Sequence, residues 1–260
     1  MHIFDLNLVN MHKSLTTIVL MSCIHLCIAT SKDTVNLSGE DLLMSKLNNG
    51  TSKYLVYIEK ADESLIDMSI WTRTVSDALI DGTRFMKIEQ TWRNVNSDKE
   101  RSLVSYCEWS DFEPLYHYVE RTEEGKELIE AFTFREKLIV GTDSVDNNSK
   151  LDFSLKLDNP TLNWELDMEV FQTLPYEENM VFSINFYHPG SRKGPQDYHY
   201  TVGELVSLPQ HNGTSIMSWP LSIDYGNGNQ ATFWIADESR EVLRMEEKFG
   251  GIRRYKIKLP

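Results

Sequence analysis

The chain has 260 residues, 41% of them hydrophobic, 25% charged and 11% aromatic, which fits a folded globular protein and excludes collagen-like, coiled-coil and disordered chains. Asp and Glu number 39 against 26 Lys and Arg, so the net charge is −13. That balance argues against nucleic acid, whose phosphates need a basic surface, and against electrostatic docking on anionic lipid.

Leu15 to Ala29 form the one long apolar stretch, with Lys13 just before it and a polar run from Thr30 to Asp33 after it. A basic flank, a short apolar core and a small residue at the end describe a secretory signal peptide over residues 1–29, cleaved after Ala29. The core, about 15 residues, is shorter than the roughly 20 needed to span a bilayer, so no transmembrane span is expected in the mature chain. Met11, followed by His12 and Lys13, reads as a better start than Met1. A rival reading is a lipoprotein signal: Leu20-Met21-Ser22-Cys23 partly matches a lipobox, which makes Cys23 a candidate lipid anchor. With Cys23 and Cys27 in the leader, Cys107 is left without a disulfide partner, so the exported chain must be held by its core. On its strand, Cys107 reads as a small buried hydrophobe.

Residues 30–50 form a lead-in. Ser38-Gly39-Glu40-Asp41 resembles a capping box, Leu42, Leu43 and Leu47 follow at helical spacing, and Asn49-Gly50 supplies a stop, so a short N-terminal helix is expected. Residues 51–260 read as a single β-rich domain. Tyr54 to Ile58, Met68 to Val75, Arg84 to Trp92 and Ser102 to Trp109 are rich in aromatic and β-branched residues and are separated by polar turns such as Asp81-Gly82. Leu115 to Glu120, Glu127 to Phe134 and Lys137 to Val140 continue the series, and Leu151 to Leu157 alternates strictly. Short turns between strands imply an antiparallel meander.

Asn159 to Pro175 is ambiguous. Leu162, Trp164, Leu166, Met168 and Val170 alternate with polar residues, as in a strand, yet Leu, Glu and Met are good helix formers. Asp158 or Asn159 could cap a helix there and Leu174-Pro175 would end it. Beyond it, Phe182, Ile184 and Phe186 share one strand face, and Tyr198, Tyr200 and Val202 open another strand after a turn rich in Gly and Pro. Asp224 to Asn229 is a hairpin loop leading to Ala231–Ile235, then Val242–Glu246. A closing strand places Tyr255, Ile257 and Leu259 on one face and Arg254, Lys256 and Lys258 on the other.

No G-x-S-x-G, H-E-x-x-H, Walker or G-x-G-x-x-G motif is present. His188 and His199 flank one turn with Asp197 between them, too few ligands for a zinc site, so no metal and no cofactor are expected. The tryptophans are spread across the β region. A curved sheet with large apolar side chains on its concave face can hold a hydrophobic ligand. Trp71, Trp92, Trp109, Phe132, Trp164, Phe182, Phe186 and Trp234 are the candidate ligand-lining residues, and the plain alternative is that they fill the core.

The segment from Asn159-Pro160 to Leu174-Pro175, the strand ending Ile184-Asn185-Phe186-Tyr187, and Thr232-Phe233-Trp234-Ile235 followed by an acidic turn and Val242-Leu243-Arg244 together carry a family pattern. It resembles uncharacterised envelope proteins of Gram-negative bacteria that carry a domain of unknown function. The resemblance covers roughly residues 150–260. It implies a half-barrel related to the lipoprotein carriers LolA and LolB, with a long antiparallel sheet wrapped around a helix. It therefore favours a helix over 159–174 and export to the periplasm or the outer-membrane periphery, and it brings no catalytic residues.

The expected fold is thus mainly β (α+β), a long curved antiparallel sheet or half-barrel around one helix, with a short N-terminal helix. The expected function is a non-enzymatic exported protein that binds an apolar or lipid ligand, or an envelope protein partner, on its concave sheet. A secreted hydrolase of polysaccharide or peptide using cleft carboxylates and a structural envelope protein are the alternatives.

Overall fold

The computed structural model describes residues 34–37, 39–123 and 125–260. The expected signal peptide over 1–29, Cys23 within it, and Ser38 of the expected capping box lie outside them. β1 (Thr34–Asn36) leads to 3₁₀ turns at Gly39–Asp41 and Met44–Lys46. An unbroken run of strands follows: β2 (Gly50–Glu59), β3 (Leu65–Ile80), β4 (Thr83–Asn94), β5 (Glu100–Cys107), β6 (Pro114–Glu123), β7 (Lys126–Arg135), β8 (Leu138–Gly141) and β9 (Ser154–Lys156). The next segment holds β10 (Leu162–Asn163), a 3₁₀ turn (Trp164–Leu166) and helix α1 (Asp167–Gln172). The chain ends with β11 (Val181–Tyr187), β12 (Gln196–Val202), β13 (Val206–Pro209), β14 (Ser215–Gly226), β15 (Asn229–Ala236), β16 (Val242–Phe249) and β17 (Ile252–Lys258).

Among the described residues these strands make one sheet, ordered β1-β10-β11-β12-β13-β14-β15-β16-β17-β2-β3-β4-β5-β6-β7-β8-β9. Nearly all neighbours are antiparallel, as hairpin connections dictate; β1 and β10 pair with β11 in parallel. The pairing of β17 with β2 joins the two halves of the chain, with Lys256 opposite Val56 and Tyr255 opposite Tyr57. No ladder runs from β9 back to β1, so the sheet is open. Side chains bridge the seam: Asn163 Nδ2 donates to His117 Nδ1 at 3.2 Å, and the rings of Phe134 and Tyr187 lie edge to face at 6.3 Å.

Period-two alternation sets the inner face. Tyr54 and Val56, Trp71 and Val75, Met86 and Ile88, and Cys107 are buried there, with Phe182, Ile184 and Phe186 from β11 and Phe233, Ile235 and Met245 from the last strands. The 3₁₀ turn and α1 fill the concavity. Every residue of α1 is buried, including Asp167, Glu169 and Gln172. Phe171 packs its ring on Tyr200 at 4.9 Å and on Phe233 at 4.8 Å.

Two expected helices need correction. The one expected over 38–47 is two 3₁₀ turns, because its backbone groups and leucines are drawn elsewhere. The Leu43 N–H donates to Thr173 O, and Leu42 and Leu47 enter the core while Leu47 is already extended. The one expected over 159–174 is confined to Asp167–Gln172. Leu162 and Asn163 are pulled into the sheet beside Phe186 and Tyr187, so Asn163, rather than Asp158 or Asn159, caps the 3₁₀ turn that leads into α1, accepting the Glu165 N–H, and α1 itself follows from Leu166 with no side-chain cap. The alternating run 151–157 pairs with β8 in register over Ser154–Lys156, with backbone bonds from Gly141 N–H to Phe153 O at 2.9 Å and from Leu157 N–H to Lys137 O at 3.0 Å at its two ends.

Candidate functional site

The two ends of the curved sheet differ. One end carries the β3–β4, β5–β6 and β15–β16 turns and is closed by the N-terminal lead-in. Asn48 Nδ2 donates to Gln172 Oε1 at 3.0 Å and to Ser239 O at 2.6 Å, tying the end of α1 to the β15–β16 turn. Gly39 presses so tightly on the β5–β6 turn that a Cβ there would overlap Asp111 Cβ. The opposite end carries the β2–β3, β4–β5, β14–β15 and β16–β17 hairpins and is not filled. Two cavities open at this rim. One, of about 330 Å³, is lined by Ile58, Asp67, Trp71, Trp92, Arg101, Arg121 and Arg254 among others. The second, of about 460 Å³, is lined by Ile58, Trp164, His188, Tyr198, Tyr225, Glu247, Phe249, Ile252 and Arg254. They share Ile58 and Arg254 and so adjoin.

The wall of the first cavity is rigid. Trp71 and Trp92 face each other across β3 and β4 and stack in parallel with centroids 3.8 Å apart. Arg101 Cζ lies 4.2 Å from the Trp92 centroid, and Lys256 Nζ lies 4.7 Å from that of Trp71. Strand order puts these cations on opposite sides of the pair, so both outer indole faces are occupied and the tryptophans present edges to the cavity. In the second cavity Trp164 lies against Tyr198 and His188, each at 4.4 Å, and His188 Nε2 meets the Tyr198 hydroxyl at 3.0 Å.

A buried polar network anchors the helical plug beneath this rim. Arg73 is ion-paired with Glu169 and donates to Gln90 Oε1 at 2.9 Å and to Glu165 O at 2.9 Å. Burial works against the Arg73 charge, but Glu169 outweighs it and raises the guanidinium's affinity for its proton. Arg101 donates to Glu165 Oε1 at 2.7 Å. Burial pushes the Glu165 carboxyl up, and Arg101, His117 and Arg73 together bring it below its ordinary value. Burial lowers His117 to about 4, so it stands neutral beside Ser105 Oγ at 2.8 Å. Burial also pulls the Lys256 ammonium down to about 8.

The structure divides the sequence candidates. Trp71, Trp92 and Trp164 line the rim cavities. Phe182 and Phe186 are fully buried core, and Phe132 belongs to a second core cluster with Phe134, Ile139 and Tyr187 at the seam. Trp109 packs against the core at the closed end, with Arg84 over its ring at 5.0 Å. Trp234 lies on the outer face beside Arg244, at 5.5 Å. Sequence reasoning passed over Ile58, Tyr225, Phe249, Ile252 and the arginines. Arg101 and Arg254 sit on alternating strands, and their inward direction follows from register, which a single strand does not reveal. Burial pushes the Cys107 thiol up, in keeping with an inert core residue. Among the described residues no cluster of three or more His, Cys, Asp or Glu is placed to hold a metal, and no helix is long and apolar enough to cross a membrane.

An open, barrel-like antiparallel sheet, filled by a short helix and unfilled at one rim, is the class of protein this architecture defines. The chain belongs to the DUF3108 family, described as a protein of unknown function, whose pattern matches residues 53–258. Among solved structures it is similar to a β-barrel-like protein of domain of unknown function DUF1849 from Brucella abortus. The identity is 10% and the TM-score 0.52, over 82% of this chain and 97% of that one, a likeness of fold. No curated protein matches the chain in sequence.

Proposed function

We propose that this is an exported, non-enzymatic binding protein of the Gram-negative envelope that takes an apolar or amphipathic ligand at its open rim. The observation that carries this reading is the pair of adjoining cavities with aromatic and aliphatic walls, at the one end of the sheet that the plug and lead-in leave unfilled. The concave face deeper in is occupied by α1, so the ligand enters at the rim rather than lying along the sheet. The leader over 1–29 supports export, with Cys23 as the anchor if the lipobox is used. The finer form of the same proposal is a half-barrel carrier of the LolA and LolB kind, with a lipid or a lipoprotein as the natural cargo.

The rim carboxylates give a hydrolase little to work with. Glu165 is held by Arg101, Glu247 by Arg254 at 2.7 Å, and Glu100 by Arg93 at 2.8 Å. A general acid needs a carboxyl kept protonated; these three are paired with cations, and Asp67 accepts from the Asn94 side chain.

Mass spectrometry of an organic extract of the purified protein tests the reading, alongside titration with an environment-sensitive apolar dye. A bound lipid-like species and saturable dye binding are expected, with Ile58→Glu, in the wall the two cavities share, weakening dye binding at least about tenfold. A ligand-free extract with no dye binding would leave a structural envelope protein as the better description.

A further inference from the structure

We propose that the cavity lined by Trp71 and Trp92 contains an anion subsite, built by Arg101, Arg121 and Arg254, for a phosphate or similar compact oxyanion. This rests on the rim-binding reading and adds the chemistry of the ligand's polar end.

Register is the first argument. Arg101 and Arg121 stand directly opposite each other on β5 and β6, and both line the cavity. Like charges at directly opposed positions of an antiparallel pair repel and destabilise it. A chain with net charge −13 nevertheless places them there, and Arg254 lines the same cavity from β17, on the far side of the tryptophan pair. The second argument is where their carboxylates come from. Arg101 reaches to Glu165 on the plug, and Arg121 reaches to Glu130 on β7, which it shares with Lys150 at 3.1 Å. Asp67 and Glu100, which also line this cavity, are engaged by Asn94 and Arg93. Arg254 bonds Glu247 through one terminal nitrogen, while its Nε is buried without a hydrogen-bond partner. Guanidinium groups fit oxyanions through paired N–H donors, and an oxyanion set here would relieve the repulsion between Arg101 and Arg121. The adjoining cavity of about 460 Å³ supplies the apolar wall for an attached chain.

The test is tryptophan-fluorescence or calorimetric titration with dodecyl phosphate, dodecanol and inorganic phosphate. Dodecyl phosphate is expected to bind at least about tenfold more tightly than dodecanol, and its affinity should fall as salt rises. Arg121→Gln and Arg254→Gln should each cost about tenfold for dodecyl phosphate and leave dodecanol unmoved, with Arg121→Lys, which keeps the charge but not the paired donors, falling between wild type and Arg121→Gln. Competition by inorganic phosphate would identify a free-anion site; failure to compete, with dodecyl phosphate still preferred, would identify the head group of an amphiphile. Equal affinity for dodecanol and dodecyl phosphate, or variants that weaken both alike, would overturn the anion subsite and leave the apolar pocket standing. If neither alkyl probe binds, the rim reading itself fails.

Discussion

The plug and the rim share the inner face of one sheet, yet they treat charge in opposite ways. Around α1, charged groups are removed from water and matched: Arg73 meets Glu169, Gln90 and the Glu165 carbonyl, so a buried guanidinium has a partner for each direction it presents. At the rim, arginines line one cavity from both sides of the tryptophan pair, two of them facing each other across neighbouring strands, and their carboxylates come from the side. A buried, matched network fixes where the helix sits. At the rim the arginines are paired as well, but partly exposed and facing an open cavity. The first region fixes position; the second is where we propose binding.

The largest expected effect lies in the plug. Glu169→Ala leaves the Arg73 guanidinium buried without its carboxylate and should cost about 3–5 kcal/mol in urea unfolding, with the Arg73→Met, Glu169→Leu double variant recovering most of it. If the single variant is as stable as the parent, the matched network is not what seats the helix.

His117 gives the next effect. Burial holds its folded value near 4, against an ordinary value of 6.5. Between these values the unfolded chain binds the extra proton. The contribution is therefore complete above about pH 6.5 and is lost as pH falls to about 4, a loss of about 3 kcal/mol. His117→Asn should flatten that part of the pH–stability curve, and an unchanged slope would show that His117 is not buried neutral.

Lys256 marks the boundary between the regions and should give the smallest effect. Its folded value of about 8 lies below the ordinary 10.5, so stability is lower below pH 8 and rises as pH climbs from 8 to 10.5. Lys256→Met should therefore stabilise the protein at pH 7 by about 1–3 kcal/mol and lose that advantage by about pH 10.5. A destabilised variant at pH 7 would mean that the cation over Trp71 contributes more than its burial costs.

Much of the sheet was readable from residue order. Aromatic and β-branched runs marked the strands at Tyr54–Ile58 and Met68–Val75, alternation placed Phe182, Ile184 and Phe186 on one face, and Asp81-Gly82 and the loop from Asp224 to Asn229 announced their turns. Direction was harder. In the closing strand the apolar set Tyr255 and Ile257 lies on the outer face while Lys256 is buried, because pairing with β2 aligns Lys256 with Val56. In β3, Arg73 points inward between Trp71 and Val75 for a partner that arrives from Glu169, 96 positions later in the chain. The helix was blurred for a related reason. A helix buried on all sides needs no apolar stripe, so α1 carries Asp167, Glu169 and Gln172 inside and offers no 3.6-residue period. The candidate rim was half visible: the tryptophans could be named, but the inward direction of the arginines beside them depends on register between strands.

Hydrogen exchange with and without dodecyl phosphate tests the division most directly. The account predicts added protection in the rim strands, around residues 56–58, 67–71, 92–101, 121–122 and 252–254, with residues 39–48 and 108–113 at the closed end unchanged. Protection centred on the closed end, or spread evenly over the sheet, would contradict it.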